Sequence, residues 1–402
     1  MADKKNILLL TSIYPMNDPL YDGTMICHFF AREWVKQGHN VRVVHFMSLF
    51  PRPYYWVGHL LGGYIASKTG CITYSRPSRH CLRYKVEDVP VLYVPVKKYI
   101  PHRNFSKSSV QESFSWVCRE LEAENFVPDV VTGHFPLPQL EMLYLFKHRY
   151  QSVKTCMVLH DEGSQILTAY PGQFKKYMDA IDVWGFRSRV FKSQFEETFF
   201  APTKSFICYS GIPGSYLSQS DKNLTRGIHK FVFVGDLIQR KNVDVIMKAL
   251  HNAFPSHDFE FHVVGSGAEE SRLRNMAIQM QMSSQIVFHG KKKRNEVQQI
   301  VEQSDCFVMV SYREAFGLVY LEAMAKGCIT VGLKGQGIDG VIIDGVNGFL
   351  CATDQVEDLA DVLKKIRSLH TDQLQSISQK ARETVMNLTD ENAAEHYLNS
   401  IL

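Results

Sequence analysis

Short apolar runs alternate with amphipathic helical stretches along almost the whole chain. The first run, residues 6–11, is followed by a helical pattern over residues 25–37 that stops at Gly38, and then by a second run over residues 41–45. Apolar runs of this length, separated by helical periodicity, predict parallel strands joined by crossover helices. The series continues with runs over residues 126–134, 155–159, 181–186 and 205–209. The pattern predicts an α/β domain with a doubly wound, Rossmann-like parallel sheet.

A second alternating series starts near residue 231 and repeats this arrangement. Its predicted strands cover residues 231–234, 259–264, 286–288, 306–310, 329–332 and 348–350. Gly211, Pro213 and Gly214 lead into a polar run through Lys222, which is typical of a linker. A chain of 402 residues is long enough for two such domains. We predict domains over residues 1–210 and 211–385, and a C-terminal helix over residues 386–402 that packs back on the first domain.

The composition is that of a globular protein, with 45% apolar and 21% charged residues. No run approaches the ~20 apolar residues that a membrane-spanning helix needs. The run over residues 7–10 is too short for the apolar region of a signal peptide. Nine cysteines are scattered without a Cys-x-x-Cys pair, which argues against a disulfide framework or a zinc site and fits a reducing cytoplasm.

Basic residues are concentrated in one segment of the first half. Residues 50–107 contain ten basic and two acidic side chains, and residues 46–66 are rich in aromatic rings. Such chemistry is that of an interfacial patch that meets anionic lipid or a diphosphate-linked acceptor at the inner face of the cytoplasmic membrane. A core-packed insertion with a solvated basic edge is an equally good interpretation. The basic candidates are Arg76, Arg79, Arg83, Lys85, Lys97, Lys98 and Arg103.

The most informative motif lies between Arg313 and Gly327. It follows the predicted strand over residues 306–310 and opens a helix, with Gly317 at the turn and two carboxylates, Glu314 and Glu322, eight positions apart. A glycine there lets backbone amides approach a phosphate, which the positive end of the helix dipole favours. Glu322, two turns into the helix, is placed to accept hydrogen bonds from ribose hydroxyls. Glu314, before the helix, is placed to accept a hydrogen bond from a sugar hydroxyl. An ordinary amphipathic helix with solvated glutamates is the alternative.

The whole string resembles the retaining glycosyltransferases of family 4, which have the two-domain GT-B fold with two Rossmann-like domains facing a central cleft. The family carries a Glu-x7-Glu motif in a Glu-x-Phe-Gly context followed by Glu-Ala-Met-Ala-x-Gly. The resemblance implies that Glu314 contacts the donor sugar, that Glu322 contacts the ribose, and that backbone amides around Phe316, Gly317 and Leu318 hold the diphosphate. The matching positions are Glu314, Phe316, Gly317, Glu322, Ala323, Met324, Ala325 and Gly327.

A second motif, residues 233–242, resembles the Gly-Arg-Leu…Lys-Gly loop of this family, in which an Arg and a Lys neutralise the leaving diphosphate. Lys241 matches the lysine. Asp236 stands where the family has its arginine, so Arg240 is the candidate for the missing charge. A solvated helix start is the alternative for both cations. Gly235, with Gly265 and Gly290 at later strand ends, is predicted to bind the donor, the last two by framing the nucleotide base.

The first half carries the other part of the resemblance. His134, at the end of a strand, corresponds to a histidine at the donor sugar, and His160 and Asp161 to the end of the next strand. Residues 22–24 resemble a Gly-rich acceptor-side loop but have one glycine where two are usual. We predict Gly23 as donor-binding and Asp22, Thr24, His160 and Asp161 as acceptor-side candidates. The predicted catalytic residues are Glu314, His134, Lys241 and Arg240.

The resemblance implies a metal-independent transferase without a cofactor, acting on a nucleotide-sugar, with UDP as the favoured carrier, and on a glycan or polyprenyl-diphosphate-linked acceptor of cell-surface polysaccharide synthesis. No Asp-x-Asp metal motif occurs in a suitable loop. Two alternatives keep the fold: a nucleotide-sugar epimerase and a non-catalytic nucleotide-sugar-binding protein. A nicotinamide dehydrogenase is a poorer fit, because the first βα turn lacks Gly-x-Gly-x-x-Gly. Nucleic-acid binding would need a stronger basic balance than a net charge of +4.

Overall fold

The computed structural model describes residues 4–16, 25–57, 77–99, 104–161, 163–170, 172, 174–218 and 220–402. Contacts between residues divide the chain into two compact units. The first unit comprises Met1–Arg187, Gln194–Cys208 and Ala394–Leu402, and the second comprises Ser188–Ser193 and Tyr209–Ala393. Each unit contains one sheet and its own hydrophobic core, so the prediction of two α/β units is confirmed.

The sheet of the first unit has eight strands in the order β3-β4-β2-β1-β5-β6-β7-β8. All neighbours are parallel except β3 and β4, which are antiparallel. The strands are β1 (Asn6–Thr11), β2 (Asn40–Leu49), β3 (Leu82–Val86), β4 (Val89–Lys97), β5 (Val130–His134), β6 (Lys154–Leu159), β7 (Val183–Phe186) and β8 (Ser205–Ile207).

Helices connect these strands in the alternation that the sequence predicts. They are α1 (Ile26–Lys36), α2 (52–57), α3 (Lys107–Ala123), α4 (Pro136–Arg149), α5 (Ser164–Ala169), α6 (Phe174–Met178) and α7 (Arg189–Thr198). β1 lies in the middle of the sheet, and residues 7–10 have no exposed surface. A central parallel strand is covered on both faces, which explains its continuous apolar run.

The hairpin of β3 and β4 at the sheet edge is not evident from the sequence pattern of residues 50–107. β3 has the burial pattern of an edge strand, with exposed Leu82, Arg83 and Lys85, so no apolar periodicity marks it. Arg76 and Arg103 of the predicted basic patch, and part of the aromatic segment, lie outside the described residues.

The second unit has six parallel strands in the order β11-β10-β9-β12-β13-β14. The strands are β9 (Lys230–Val234), β10 (Glu260–Val264), β11 (Ile286–Gly290), β12 (Cys306–Val308), β13 (Ile329–Leu333) and β14 (Phe349–Cys351). The helices after β9 are α8 (Val243–Ala253), α9 (Glu270–Gln279), α10 (Arg294–Gln303), α11 (Leu318–Ala325), α12 (Val356–Arg367), α13 (Thr371–Met386) and α14 (Asp390–Ile401), and the last of them belongs to the second unit only as far as Ala393. The strand order reverses between β9 and β12, and ligands of such sheets bind outside the carboxyl ends of strands at this switch point.

Helix α14 joins the second unit to residues of the first. Its residues from Ala394 onward cluster with the first unit, where the Trp34 indole N–H donates to the Ala394 carbonyl at 2.9 Å. The phenol of Tyr397 on the same helix is fully buried beside Thr132 of β5. None of the helices in the described part of the chain is both long and apolar enough to cross a membrane.

Candidate active site

Three charged side chains meet at the carboxyl end of the second sheet. Lys241 ends a 3-10 turn (Gln239–Lys241) after β9, and Glu314 lies in the loop between β12 and α11. The Lys241 Nζ is 2.6 Å from the Glu314 Oε2, and the Arg240 Nη1 is 3.3 Å from the same oxygen. The side chains of Lys241 and Glu314 are only 10% and 15% exposed, so this ion pair is shielded from water more than a surface pair is.

Backbone contacts hold the Glu314 loop in place. The Glu314 N–H donates to the side-chain oxygen of Gln336 at 3.2 Å, and the Gly337 N–H donates to the Glu314 carbonyl at 2.9 Å. A Cβ at Gly337 would lie 2.1 Å from the Ala315 carbonyl oxygen, so only glycine allows this approach. The carboxylate is therefore presented by a loop that packs tightly on its own backbone.

Asn242 joins the lysine turn to the neighbouring strand and was not predicted as a site residue. It has a left-handed backbone (φ 52°), and its side-chain amide donates to the Val310 carbonyl at 2.9 Å and to Asp354 Oδ2 at 3.1 Å. Asparagine tolerates this backbone region better than most residues do. The sequence signal is an Asn where the resembling family has a Gly directly after its lysine.

Gly317, which has φ +78°, is the N-cap residue directly before helix α11. A Cβ there would lie 2.7 Å from ring carbons of Tyr320, so a side chain would disturb the first turn. Phe316 is buried and stacks on Tyr209 with ring centroids 5.3 Å apart. The amide of Leu318 is among the helix N-terminal groups that attract an anion. The loop that carries Glu314 thus leads directly into the N-terminus of α11.

Glu322 lies on the buried face of α11, and only 8% of the residue is exposed. The Arg294 Nη2 is 2.9 Å from its Oε1, and the Gln298 side-chain amide donates to its Oε2 at 2.8 Å. Burial raises the pKa of the Glu322 carboxyl, while the Arg294 charge and both hydrogen bonds partly oppose this shift. The two predicted carboxylates thus have different partners, with Glu314 paired to the lysine turn and Glu322 to α10.

Three of the five predicted donor glycines, Gly235, Gly265 and Gly290, lie side by side at the ends of β9, β10 and β11. The Gly235 N–H donates to the Val264 carbonyl at 3.0 Å, and the Gly265 N–H donates to the Gly290 carbonyl at 3.0 Å. A Cβ at Gly265 would lie 1.9 Å from the Gly235 oxygen. Asp236 comes directly after Gly235, and its side chain is exposed. Arg240 and Lys241 contact Glu314.

In the first unit the two predicted histidines contact each other. The His134 Nδ1 is 2.9 Å from the His160 Nε2, and the His134 Nε2 is 3.1 Å from the Tyr397 hydroxyl. Tyr397 also contacts the Thr132 hydroxyl. Phe135 stacks on the His160 ring with centroids 4.1 Å apart.

Both imidazoles are held neutral at physiological pH. Burial, with a smaller effect of the Arg187 charge, lowers the pKa of His134 to about 3. Burial, His134 and Arg187 together lower the pKa of His160 well below its usual value. His134 has no exposed surface and both its ring nitrogens have protein partners, whereas His160 is partly exposed. A substrate contact by His134 would require its neighbours to move.

The other predicted residues of the first unit are placed as follows. The Asp161 Oδ1 accepts from the Gly163 N–H at 2.8 Å, just before α5. Asp22, Gly23 and Thr24 lie outside the described residues. Within the described part of the chain, no group of three or more His, Cys, Asp or Glu side chains is arranged to hold a metal ion.

Comparison with known protein families bears on the second unit directly. Residues 219–384 match the family model described as glycosyl transferases group 1. This part of the second unit is therefore similar to the group 1 glycosyl transferases. This match covers the lysine turn, Glu314, Gly317 and Glu322, and it confirms the prediction of a glycosyltransferase.

Two curated relatives extend the similarity beyond this domain. N-acetyl-alpha-D-glucosaminyl L-malate synthase of Bacillus anthracis is 26% identical over 271 residues, which are 64% of this chain and 70% of the relative. The putative colanic acid biosynthesis glycosyltransferase WcaL of Salmonella typhimurium is 22% identical over 298 residues, 72% of this chain and 73% of the relative.

The fold is that of solved glycosyltransferase structures such as WaaG, a glycosyltransferase involved in lipopolysaccharide biosynthesis, which aligns over 98% of this chain and 99% of its own with a TM-score of 0.61 and 17% identity. The Anabaena protein HepE, solved in complex with UDP, aligns over 98% of this chain and 99% of its own with a TM-score of 0.67 and 14% identity. The GT-B fold that the sequence predicts is thereby confirmed.

Proposed function

We propose that this group 1 glycosyltransferase is a retaining, metal-independent member of family 4 that uses a UDP-linked hexose-type sugar as donor. Its acceptor is a glycan or polyprenyl-diphosphate-linked glycan in cell-surface polysaccharide synthesis at the inner face of the cytoplasmic membrane. The observation that carries the proposal is the contact of Arg240 and Lys241 with Glu314 beside the N-terminus of α11. Two cations and a helix N-terminus favour a diphosphate, and the carboxylate favours sugar hydroxyls.

Donor binding would redistribute the charges of this cluster. Glu314 is the shared anionic partner of both cations. A diphosphate carries more negative charge than one carboxylate, so it competes for Lys241 and Arg240. Glu314 is then free to accept hydrogen bonds from the donor sugar.

In the transfer step, the leaving diphosphate gains negative charge, and this charge must be stabilised by nearby cations. The acceptor hydroxyl oxygen bonds to the anomeric carbon while the bond from that carbon to the phosphate oxygen breaks. The diphosphate leaves with the bonding electrons and receives the hydroxyl proton, and attack on the face that it leaves retains the configuration. Lys241 and Arg240 stabilise the charge that develops on the diphosphate.

Uridine as the base and a polysaccharide as the product are supported by the relatives. The Anabaena neighbour was solved with UDP, and the Salmonella relative is named for colanic acid biosynthesis.

The donor proposal is tested by calorimetric titration with UDP, GDP, ADP and NAD. We expect wild type to bind UDP selectively and Glu322→Ala to bind it at least about tenfold more weakly, because the ribose loses its acceptor. Glu302→Ala is the matched control, because this exposed glutamate lies on α10 and pairs with Lys326. Binding of NAD alone, or equal UDP affinity in Glu322→Ala, would contradict the proposal.

A screen of donor sugars in the presence of a chelator then distinguishes a transferase from an epimerase and from a binding protein. Transfer to a lipid-linked glycan acceptor supports the transferase, and transfer that needs an added divalent cation contradicts metal independence. An epimer formed without acceptor would identify an epimerase, and donor binding without turnover would identify a binding protein.

A further inference from the structure

The Glu322 carboxylate is held by a side chain from the start of the neighbouring helix. α10 begins at Arg294, four residues after Gly290 ends β11. The Arg294 guanidinium reaches across to Glu322 on α11 at 2.9 Å, although the two residues are 28 positions apart. This contact is not part of the motif that identifies the two glutamates.

We infer that Arg294 is a positioning residue for the donor nucleotide, holding the buried Glu322 carboxylate charged and oriented so that it accepts the two ribose hydroxyls. This inference rests on the proposed function, because it takes Glu322 as the ribose contact.

Glu322 can accept hydrogen bonds from Arg294 and from a ribose at the same time, so Arg294 need not compete with the ribose for the carboxylate. An ionised carboxylate has two oxygens and about four lone-pair sites. Arg294 uses one site on Oε1 and Gln298 uses one on Oε2. About two sites remain, one on each oxygen, which matches the two hydroxyls of a ribose.

The guanidinium is itself held in place. It lies over the Tyr216 ring, 5.1 Å from its centroid, and 47% of the Arg294 side chain is exposed. The Lys293 N–H donates to Glu296 at 3.1 Å and closes the first turn of α10. The contact with the Tyr216 ring and the position of Arg294 in the first turn of α10 together keep its side chain on the side of the helix that faces Glu322.

The charge of Arg294 matters because Glu322 is buried. Burial raises the pKa of Glu322, and the charge of Arg294 is the largest of the effects that lower it. Tyr216 faces the pair from the 3-10 turn Gly214–Tyr216, and Lys326, one turn along α11, pairs with Glu302. Without Arg294 the carboxyl would keep its proton to a higher pH and lose acceptor capacity.

The test measures the Kd of the nucleoside diphosphate that wild type binds best, from pH 5.5 to pH 8.5. We expect Arg294→Gln to weaken binding at neutral pH roughly tenfold or more, and to move the loss of affinity on acidification to higher pH. Lys292→Gln removes the same charge from the same loop without a contact to Glu322, and should behave as wild type. Arg294→Lys should restore part of the affinity.

A double-mutant cycle separates positioning from general damage. In a Glu322→Gln background the carboxylate is gone, so Arg294→Gln should have less effect than in wild type. Equal or tighter binding by Arg294→Gln, an unchanged pH profile, or an equal effect in both backgrounds would overturn the inference. If wild type binds no nucleoside diphosphate, the proposed function itself fails.

Discussion

At the scale of single residues, the proposed mechanism depends on one ion pair of the second unit. Lys241 and Glu314 are both largely buried and lie 2.6 Å apart, with Arg240 at the outer side of the same carboxylate. One carboxylate shared by two cations leaves the cluster with a net positive charge, which favours an anionic ligand. A diphosphate would pair with the two cations, and sugar hydroxyls would donate hydrogen bonds to Glu314, so that no buried charged group would lose all its partners, which is costly.

The lysine is predicted to stabilise the leaving group more than the bound donor. Lys241→Met should lower kcat by about 10²- to 10³-fold, a typical loss when one group that stabilises developing charge is removed. Steady-state kinetics with saturating donor would measure this. Lys248→Met, an exposed lysine on α8, is the control. A rate within threefold of wild type for Lys241→Met would remove Lys241 from the proposed mechanism.

The two motifs predicted Glu314, Glu322 and Lys241 as site residues, but not Gln298 and Asp354, which hold Glu322 and Asn242. Gln298 is 24 positions from Glu322, and the Asn242 contact to Asp354 spans 112 positions. Such separations carry no signal in one sequence, because the contact exists only after the helices pack. His134 differs in another way, since a strand-end histidine suggested a substrate contact and the fold surrounds it with Tyr397 and His160.

At the scale of elements, the carboxyl ends of β9, β10 and β11 form a surface made mainly of backbone. Gly265 approaches Gly235 so closely that a side chain has no room. Close backbone packing of this kind leaves space for a flat ligand and is set by strand register. The register shift between Val263 and Val264 where β10 pairs with β11 lies immediately before this position.

A substitution at Gly265 is expected to affect stability as well as binding. Gly265→Ala places a Cβ 1.9 Å from the Gly235 oxygen at φ +141°. The strain should lower the free energy of unfolding by about 2 kcal/mol or more, as overpacking and an unfavourable backbone do. Chemical denaturation against Gly214→Ala, which has open space around it, is the measurement. Equal denaturation midpoints would show that the strand ends shift at little cost.

At the scale of the whole molecule, the two units carry different chemistry. The second contains the cation pair, the glycine strand ends and both motif glutamates. The first contains the buried histidine pair and, at its sheet edge, a cavity of about 340 Å³ at the ends of β2 and β4. Basic and aromatic side chains share that cavity with apolar ones; its lining residues are Leu49, Phe50, Pro51, Arg79, Lys97 and Tyr99.

The described part of the basic segment is expected to favour an anionic membrane surface. Trp56 is 70% exposed and Tyr99 is 65% exposed, so aromatic and basic groups are available together. Co-sedimentation at low salt should therefore be stronger with anionic than with neutral vesicles, and should weaken as salt is added. Lys97→Gln with Lys98→Gln should reduce it, and a surface change on the other unit, Lys364→Gln, should not. Equal binding to both vesicle types would favour the packed-insertion alternative.

The sequence by itself determined the two α/β units, the GT-B fold and the enzyme class, because apolar periodicity and the motif around Glu314 are local properties of the chain. The β3–β4 hairpin was not predicted from the sequence. β3 is an edge strand with exposed Leu82 and Arg83, so it lacks the apolar run that marks the central strands. Tertiary structure alone decided which polar side chains meet: Lys241 with Glu314, Arg294 with Glu322, and Tyr397 with His134. These pairings depend on how helices and strand ends pack, and a side chain's electrostatic environment exists only after residues distant in sequence have been brought together.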